Sequence, residues 1–309
     1  MGKAVRMQFF VMVNKKEFKL AFSFTFCWAL YCYWYEVKQQ TGTDLMVYWD
    51  ATQFYCGSNL HPLWYYFTFL FPILVVLPYA TSYIVERANG TSILLISKMG
   101  VQRYILSKVI VCFIGGFLII MLPFLINYIL CQVTFPHTNN IMGAYYGTEG
   151  YDGMLTGTYY AIHVQNIQLP FLKLYLNYPH LYYIWYIVLL STLSGVFGVI
   201  LLCFSFLIRR GRIFLFIPLF VLLKLMNVLT EYSYKNAGSN PFSPLEVESM
   251  GYKEGPEYVC YNLLEYVNPF GERGQNTIYL FCVAAIIVTF CSICIKFAIK
   301  KEMRHIQGE

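Results

Sequence analysis

The sequence predicts an all-α integral membrane domain of six transmembrane helices with both termini cytoplasmic, on three observations. Of its 309 residues 58% are hydrophobic and only 12% charged, about half the charged share usual in soluble domains. Six apolar segments recur, Leu20–Tyr35, Leu63–Val85, Val109–Thr134, Leu181–Ile208, Ile213–Thr230 and Thr277–Ile299. Most reach the ~20 residues that cross a hydrocarbon core. The connections between them alternate in net charge, and basic connections stay cytoplasmic.

The N-terminal arm, residues 1–19, sets Lys3, Arg6, Lys15, Lys16 and Lys19 against Glu17, a net +4. Along it Val5, Phe9, Met12 and Val13 share one helical face and Lys3, Arg6, Asn14 and Glu17 the other, with Phe10 and Lys16 spoiling the division. That pattern suits a helix lying in the membrane interface. The first span, 20–35, is short, but Tyr31, Tyr33, Trp34 and Tyr35 put its outer end among headgroups. No small-residue cleavage site follows, so the span is read as uncleaved.

The first outer connection is −2, with Lys38 against Glu36, Asp44 and Asp50. The second connection is +3, with Arg87, Lys98, Arg103 and Lys108 against Glu86. The third, 135–180, is −1, and the fourth is Arg209, Arg210 and Arg212. The fifth, 231–276, is −4, and the tail from Lys296 onward is +2. Gly, Asn, Tyr and Pro in the long connections 135–180 and 231–276 suit compact loops or short helices. Neither is long enough for a conventional soluble catalytic domain, so residues 1–309 read as one membrane domain.

Seven of the ten cysteines fall well inside the apolar segments, where a thiol acts as a small hydrophobe, and Cys131 sits at a membrane edge. Cys56 and Cys260 lie outside and are candidates for a disulfide, whose geometry spacing does not set. Cys291-Ser-Ile-Cys294 has redox-motif spacing, but its apolar span favours packing. His61, His137, His163 and His180 are scattered, and no metal site is expected.

The sharpest local signal is Glu86-Arg87-Ala88-Asn89-Gly90-Thr91-Ser92-Ile93-Leu94-Leu95-Ile96-Ser97-Lys98-Met99-Gly100-Val101-Gln102-Arg103. Gly90 can turn the chain out of the second span, Thr91 or Ser92 can cap a short helix, and Gly100 can close it. Two turns of helix are unstable alone in water, so Ile93, Leu94, Leu95 and Ile96 need lipid or a protein partner.

This run resembles the membrane subunits of type-2 ATP-binding-cassette exporters. In that family an acidic residue ends the second span, and a Gly-Thr turn, a short Leu-rich helix, a Gly or Pro and a basic start to the third span follow. Glu86, Gly90-Thr91, Ile93 to Ile96, Lys98, Gly100 and Arg103 through Lys108 match that order. The basic arm, the six-span layout and Asn268-Pro269-Phe270 before the last span are similar too. The resemblance implies that the 91–99 helix is a coupling helix docking on a separate ATPase subunit. It also implies a second permease, identical or homologous, and a rigid-body switch between two states.

The chain has no G-x-x-x-x-G-K-S/T phosphate loop. ATP and Mg are therefore expected on the partner ATPase, with no cofactor, catalytic residue or nucleic-acid partner on this chain. Pro72, Pro78, Pro123 and Pro218 are read either as kinks for switching or as the prolines common in membrane helices. Lys224 lies deep in the fifth segment, with Asn227 and Glu231 on nearly the same face. It is a candidate for the substrate pathway, or it snorkels to the outer headgroups. Ser191, Ser194, Gly195 and Gly198 suit close helix contact, within the chain or between copies. The expected activity is export of an amphipathic, peptide or drug-like substrate across a bacterial plasma membrane. A membrane-embedded enzyme, or a channel or sensor, is the alternative, but there is no H-E-x-x-H pair, G-x-S-x-G elbow or intramembrane acidic cluster.

Overall fold

The computed structural model describes residues 1–42, 51–58, 61–135, 174, 178–207, 215–236, 259–269 and 277–307. All regular structure among them is helical. In chain order the elements are α1 (Gly2–Asn14), α2 (Lys16–Gln40), a 3-10 turn (Ala51–Phe54), α3 (Trp64–Val76), α4 (Ser82–Ala88), α5 (Thr91–Met99) and α6 (Val101–Thr134). They are followed by α7 (Pro179–Leu207), α8 (Phe216–Asn236), the single turn α9 (Leu263–Tyr266) and α10 (Thr277–Gln307). Three helices are long and apolar enough to cross a membrane, within Val101–Thr134, His180–Leu207 and Ile278–Arg304. The arginine connection 209–212 and most of the two long connections lie outside the described residues.

The centre of the fold is α6, which packs most extensively on α7, then on α2 and α1. The small residues singled out in 191–198 make this contact inside the chain. A Cβ added to Gly116 would stand 2.9 Å from the Ser194 carbonyl oxygen, and one added to Gly195 would stand 2.8 Å from the Phe113 carbonyl oxygen. Ser194 Oγ donates to the Gly116 carbonyl at 2.8 Å, and the Cys112 thiol donates to the Gly198 carbonyl at 3.2 Å. Two backbones in contact leave no room for a side chain, and apolar dispersion with these hydrogen bonds holds the seam.

The second apolar segment is two helices rather than one. Pro78 has no N–H for the Leu74 carbonyl and its ring crowds that carbonyl, so α3 ends at Val76 and the chain turns through 77–81 before α4. Pro72 and Pro123, by contrast, are carried inside continuous helices, and α8 runs unbroken past Pro218. At the amino end, α1 buries Ala4, Gln8 and Met12, one residue per turn, with Val5, Phe9 and Val13 packed beside them. The predicted apolar face is present, but its centre includes a glutamine. Rim helices behave differently. Among the described residues of α10, only a stripe of Cys294, Ala298 and Glu302 is buried, while Ile278, Phe281, Ile286, Val288 and Ile293 are exposed. Cys203 of α7 is buried in the same core as Cys294, and Cys291 packs against it, which is the packing role expected for the 291–294 pair.

At the opposite end of α6 from Gly100, Asn127 ties three elements together. Its Nδ2 donates to the Ala29 carbonyl of α2 at 2.8 Å, and its Oδ1 accepts the Cys56 backbone N–H at 3.1 Å. Beside it His61 Nε2 lies 3.3 Å from Glu36 Oε1, and His61 Nδ1 accepts the Leu63 N–H at 3.1 Å. The imidazole is therefore neutral, with its proton on Nε2. Tyr182 donates to the Pro269 carbonyl at 2.7 Å, and Asn268 donates to the Gly57 carbonyl at 3.4 Å. The Asn268-Pro269 part of the tripeptide thus closes this end over α7.

Two expectations follow from these contacts. Gly116→Ala or Gly195→Ala forces the α6 and α7 backbones apart and should cost about 1–3 kcal/mol, read as a lower unfolding midpoint in detergent. Gly2→Ala, with nothing within 4 Å of the added Cβ, should not lower it. Burial pushes the His61 imidazole down to about 4, below its ordinary 6.5. The unfolded chain thus takes up a proton the folded one refuses, and stability present above pH 6.5 is lost as pH falls toward 4. Burial raises the Glu36 carboxyl, so its burial cost is relieved as pH falls, which opposes the His61 loss. Between pH 7 and pH 5 the His61 contribution falls by about 2 kcal/mol. The midpoint should therefore drop more in wild type than in His61→Gln, and equal drops would show that His61 carries no such linkage.

Candidate functional site

The short helix predicted from Gly90 to Gly100 is present as α5. Gly90 at φ +71° and Gly100 at φ +82° bracket it, both in the left-handed region that glycine enters without steric cost. Thr91 Oγ1 donates back to the Glu86 carbonyl at 3.1 Å, and the Gly100 N–H closes the helix on the Ile96 carbonyl at 2.7 Å. Nine residues give two faces. Ser92 and Ile96 are buried and Leu95 packs on the core, whereas Ile93 and Leu94 are 57% and 64% exposed. Lys98 and Arg103 are exposed as well. The result is a small apolar tip with basic side chains near it.

Beneath α5 lies a buried ionic network. Glu86, 8% exposed, and Lys108, fully buried, pair at 2.8 Å between Oε1 and Nζ. Lys108 Nζ also donates to Ser82 Oγ at 3.2 Å, and Tyr104 donates to Glu86 Oε2 at 2.9 Å. Lys15, between α1 and α2, stands 4.0 Å from the same carboxylate. Tyr79, in the turn made by Pro78, lies under both ammonium groups, 5.0 Å from Lys15 and 4.9 Å from Lys108, and donates to Gln8 of α1. Two cations, an aromatic face and several hydrogen bonds compensate the desolvated carboxylate, which unpaired would be costly to bury.

A second cluster adjoins it. Tyr83 donates to Glu302 of α10, Arg87 Nη1 donates to Tyr83 at 3.4 Å and stands 3.7 Å from Glu302. Lys301 donates to the Phe206 carbonyl at 2.9 Å. Through Ser82, Tyr83, Glu86 and Arg87, α4 is tied to Lys15 at the α1–α2 joint, to α6 and to α10, and α5 follows it directly in the chain.

Of the coupling residues expected from sequence, Glu86 falls in this junction, Thr91, Ile93, Leu94, Leu95, Ile96 and Lys98 on α5, Gly90 and Gly100 at its two ends, and Arg103 exposed on the first turn of α6. Lys15, Tyr79, Ser82 and Tyr104 were not singled out. Ser82 with Glu86 and Tyr104 with Lys108 stand at i,i+4 spacing, the local signal that pairs of polar residues share a helix face. The substrate-pathway candidates Lys224, Asn227 and Glu231 are elsewhere, on α8, with Lys224 and Glu231 on its exposed side. Cys56 and Cys260 are both buried free thiols. His137 and His163 lie outside the described residues, and no metal-holding group occurs among the described ones.

No family, curated protein or solved structure matches this chain. The site is therefore read from its own residues.

Removing one partner of the Glu86–Lys108 pair should be severe. Lys108→Met or Glu86→Gln should each cost about 3–5 kcal/mol, because one buried charge is left without its main partner. The double variant should recover part of that loss. Unfolding midpoints of the three variants in detergent check it, and strictly additive losses would show that the two groups are not coupled.

Proposed function

We propose that this chain is a multi-pass permease subunit of an ATP-binding-cassette exporter, with α5 as the helix that docks on a separate ATPase subunit. Supporting this reading above all is α5 itself, which projects Ile93 and Leu94 from a rigid, ion-paired base. Exposed apolar side chains on a two-turn helix need a partner surface. Lys98 and Arg103 beside them favour an acidic rim on that partner.

In this reading six spans cross the plasma membrane with both termini cytoplasmic, the shorter α2, the α3–α4 pair and α8 joining the three long apolar helices. Two permease subunits, identical or homologous, share the translocation pathway, and the ATPase subunits bind ATP and Mg. Closure of the ATPase pair moves α5, and the Glu86–Lys108 junction passes that displacement to α1, α6 and α10 as one body rather than bending α5 alone. The cargo is amphipathic, peptide or drug-like, and Lys224, Asn227 and Glu231 are pathway candidates, since an intramembrane lysine is retained where it serves a partner or cavity.

The test uses the exposed tip, which can be changed without disturbing the core. Solubilised gently from its own host, the wild-type chain should co-purify a soluble ATPase, and Ile93→Glu, Leu94→Glu should lose it with the unfolding midpoint unchanged. A wild-type preparation free of any ATPase would remove the transporter reading.

A further inference from the structure

The face of α1 turned away from the core has no role in the transporter reading. In an ordinary interfacial helix the stripe Val5, Phe9, Met12 and Val13 would enter the lipid. Here it faces the protein. Met12 is buried with Ala4 and Gln8, and Val5, Phe9 and Val13 pack on the core. What remains outside is Lys3, Arg6 and Phe10, spaced i, i+3 and i+7 along one stripe, with Met7 and Val11 beside them. Phe10 is 71% exposed, and past the Lys15 joint Leu20 in the first turns of α2 is 62% exposed. Lys16 and Lys19 are exposed between them.

Depth decides what covers this face. The Met12 thioether occupies the place that a Gly115 side chain would take, and Gly115 lies beyond Lys108, the last charged residue of α6. From the Val101 start of that helix it is about 21 Å along the axis. The end of α1 that carries Phe10 therefore runs beside the apolar part of a span rather than in the water past it. At that level an exposed phenyl ring meets acyl chains, and long basic side chains reach back to the phosphates. Charge then selects the lipid. Residues 1–24 carry Lys3, Arg6, Lys15, Lys16 and Lys19 against Glu17 alone. Lys15 faces Glu86, whereas no ion pair among the described residues uses Lys3, Arg6, Lys16 or Lys19. Four exposed cations around exposed apolar side chains are complementary to anionic headgroups.

We propose that the outer face of α1, with the first turns of α2, is a binding surface for an anionic phospholipid of the surrounding bilayer. Met7, Phe10 and Leu20 meet the acyl chains, and Lys3, Arg6, Lys16 and Lys19 hold the phosphate and the headgroup. Bound lipid presses α1 onto α6 from outside, while Met12 against Gly115 and Gln8 on Tyr79 hold it from within. The surface requires only a chain seated in a membrane, so the absence of an ATPase partner would leave it standing.

Delipidated protein in mild detergent is offered equal amounts of phosphatidylglycerol and phosphatidylcholine, and the lipids it retains are counted by native mass spectrometry. Wild type should retain phosphatidylglycerol in preference to phosphatidylcholine. With Lys3, Arg6, Lys16 and Lys19 all changed to Gln, that preference should fall at least about tenfold. Lys300→Gln, Arg304→Gln, which removes two exposed cations of α10, should keep it. Equal retention of the two lipids by wild type, an unchanged preference in the fourfold variant, or an equal loss in the α10 variant would each overturn the proposal. Wild type alone supplies a second reading, which holds even if the fourfold variant does not fold. Photoactivatable phosphatidylglycerol, its label in the acyl chain, should mark peptides within residues 1–24, and marking confined to other helices would overturn the proposal as well.

Discussion

A carboxylate buried at Glu86 constrains everything on its side of the molecule. Taken out of water, it must be met by cations and donors, and the fold brings Lys108 and Tyr104 from α6 and Lys15 from the α1–α2 joint to do so. Those partners come from far apart in the chain. Satisfying them holds the α1–α2 joint against α4, sets the rotation of α6 about its axis and anchors the glycine-bracketed helix α5. Ion pairing here supplies register more than net stability, since burying the charges offsets much of their attraction.

The rest of the core is apolar and close-packed around α6. Its contact with α7 depends on glycines whose missing Cβ lets carbonyl oxygens and backbone carbons meet near van der Waals distance. Polar groups are concentrated toward the two ends of that seam, the Glu86 junction at one and the Asn127, His61 and Glu36 group at the other. Such a distribution lets the middle pack by dispersion while each end fixes which helices meet. The rim helices α8 and α10 keep apolar faces exposed, as surfaces met by lipid or a second membrane subunit would be.

Most of α5 was legible because its signals are local. Glycines at both ends, a Thr at the first position and a run of aliphatic residues are all read within fifteen residues, and left-handed φ at Gly90 and Gly100 bears out that reading. The break in the second apolar segment was less so. Pro72, Pro78, Pro123 and Pro218 look alike in sequence, yet only Pro78 interrupts a helix, and there the turn it makes delivers Tyr79 to the ion pair. Gln8 on the apolar face of α1 was hidden for the same reason, because its partner Tyr79 is 71 residues away.

Composition and charge order by themselves determined an all-helical chain rich in membrane-length apolar segments, because hydropathy and helix punctuation are properties of neighbouring residues. Partnership between distant residues was decided only by tertiary structure. It placed Glu86 against Lys108 and Lys15, turned Ser194 and Gly195 toward α6, and set the Cys56 N–H on Asn127. Each of these depends on which face of one helix meets which face of another, and that choice is made by the packing of the whole core at once.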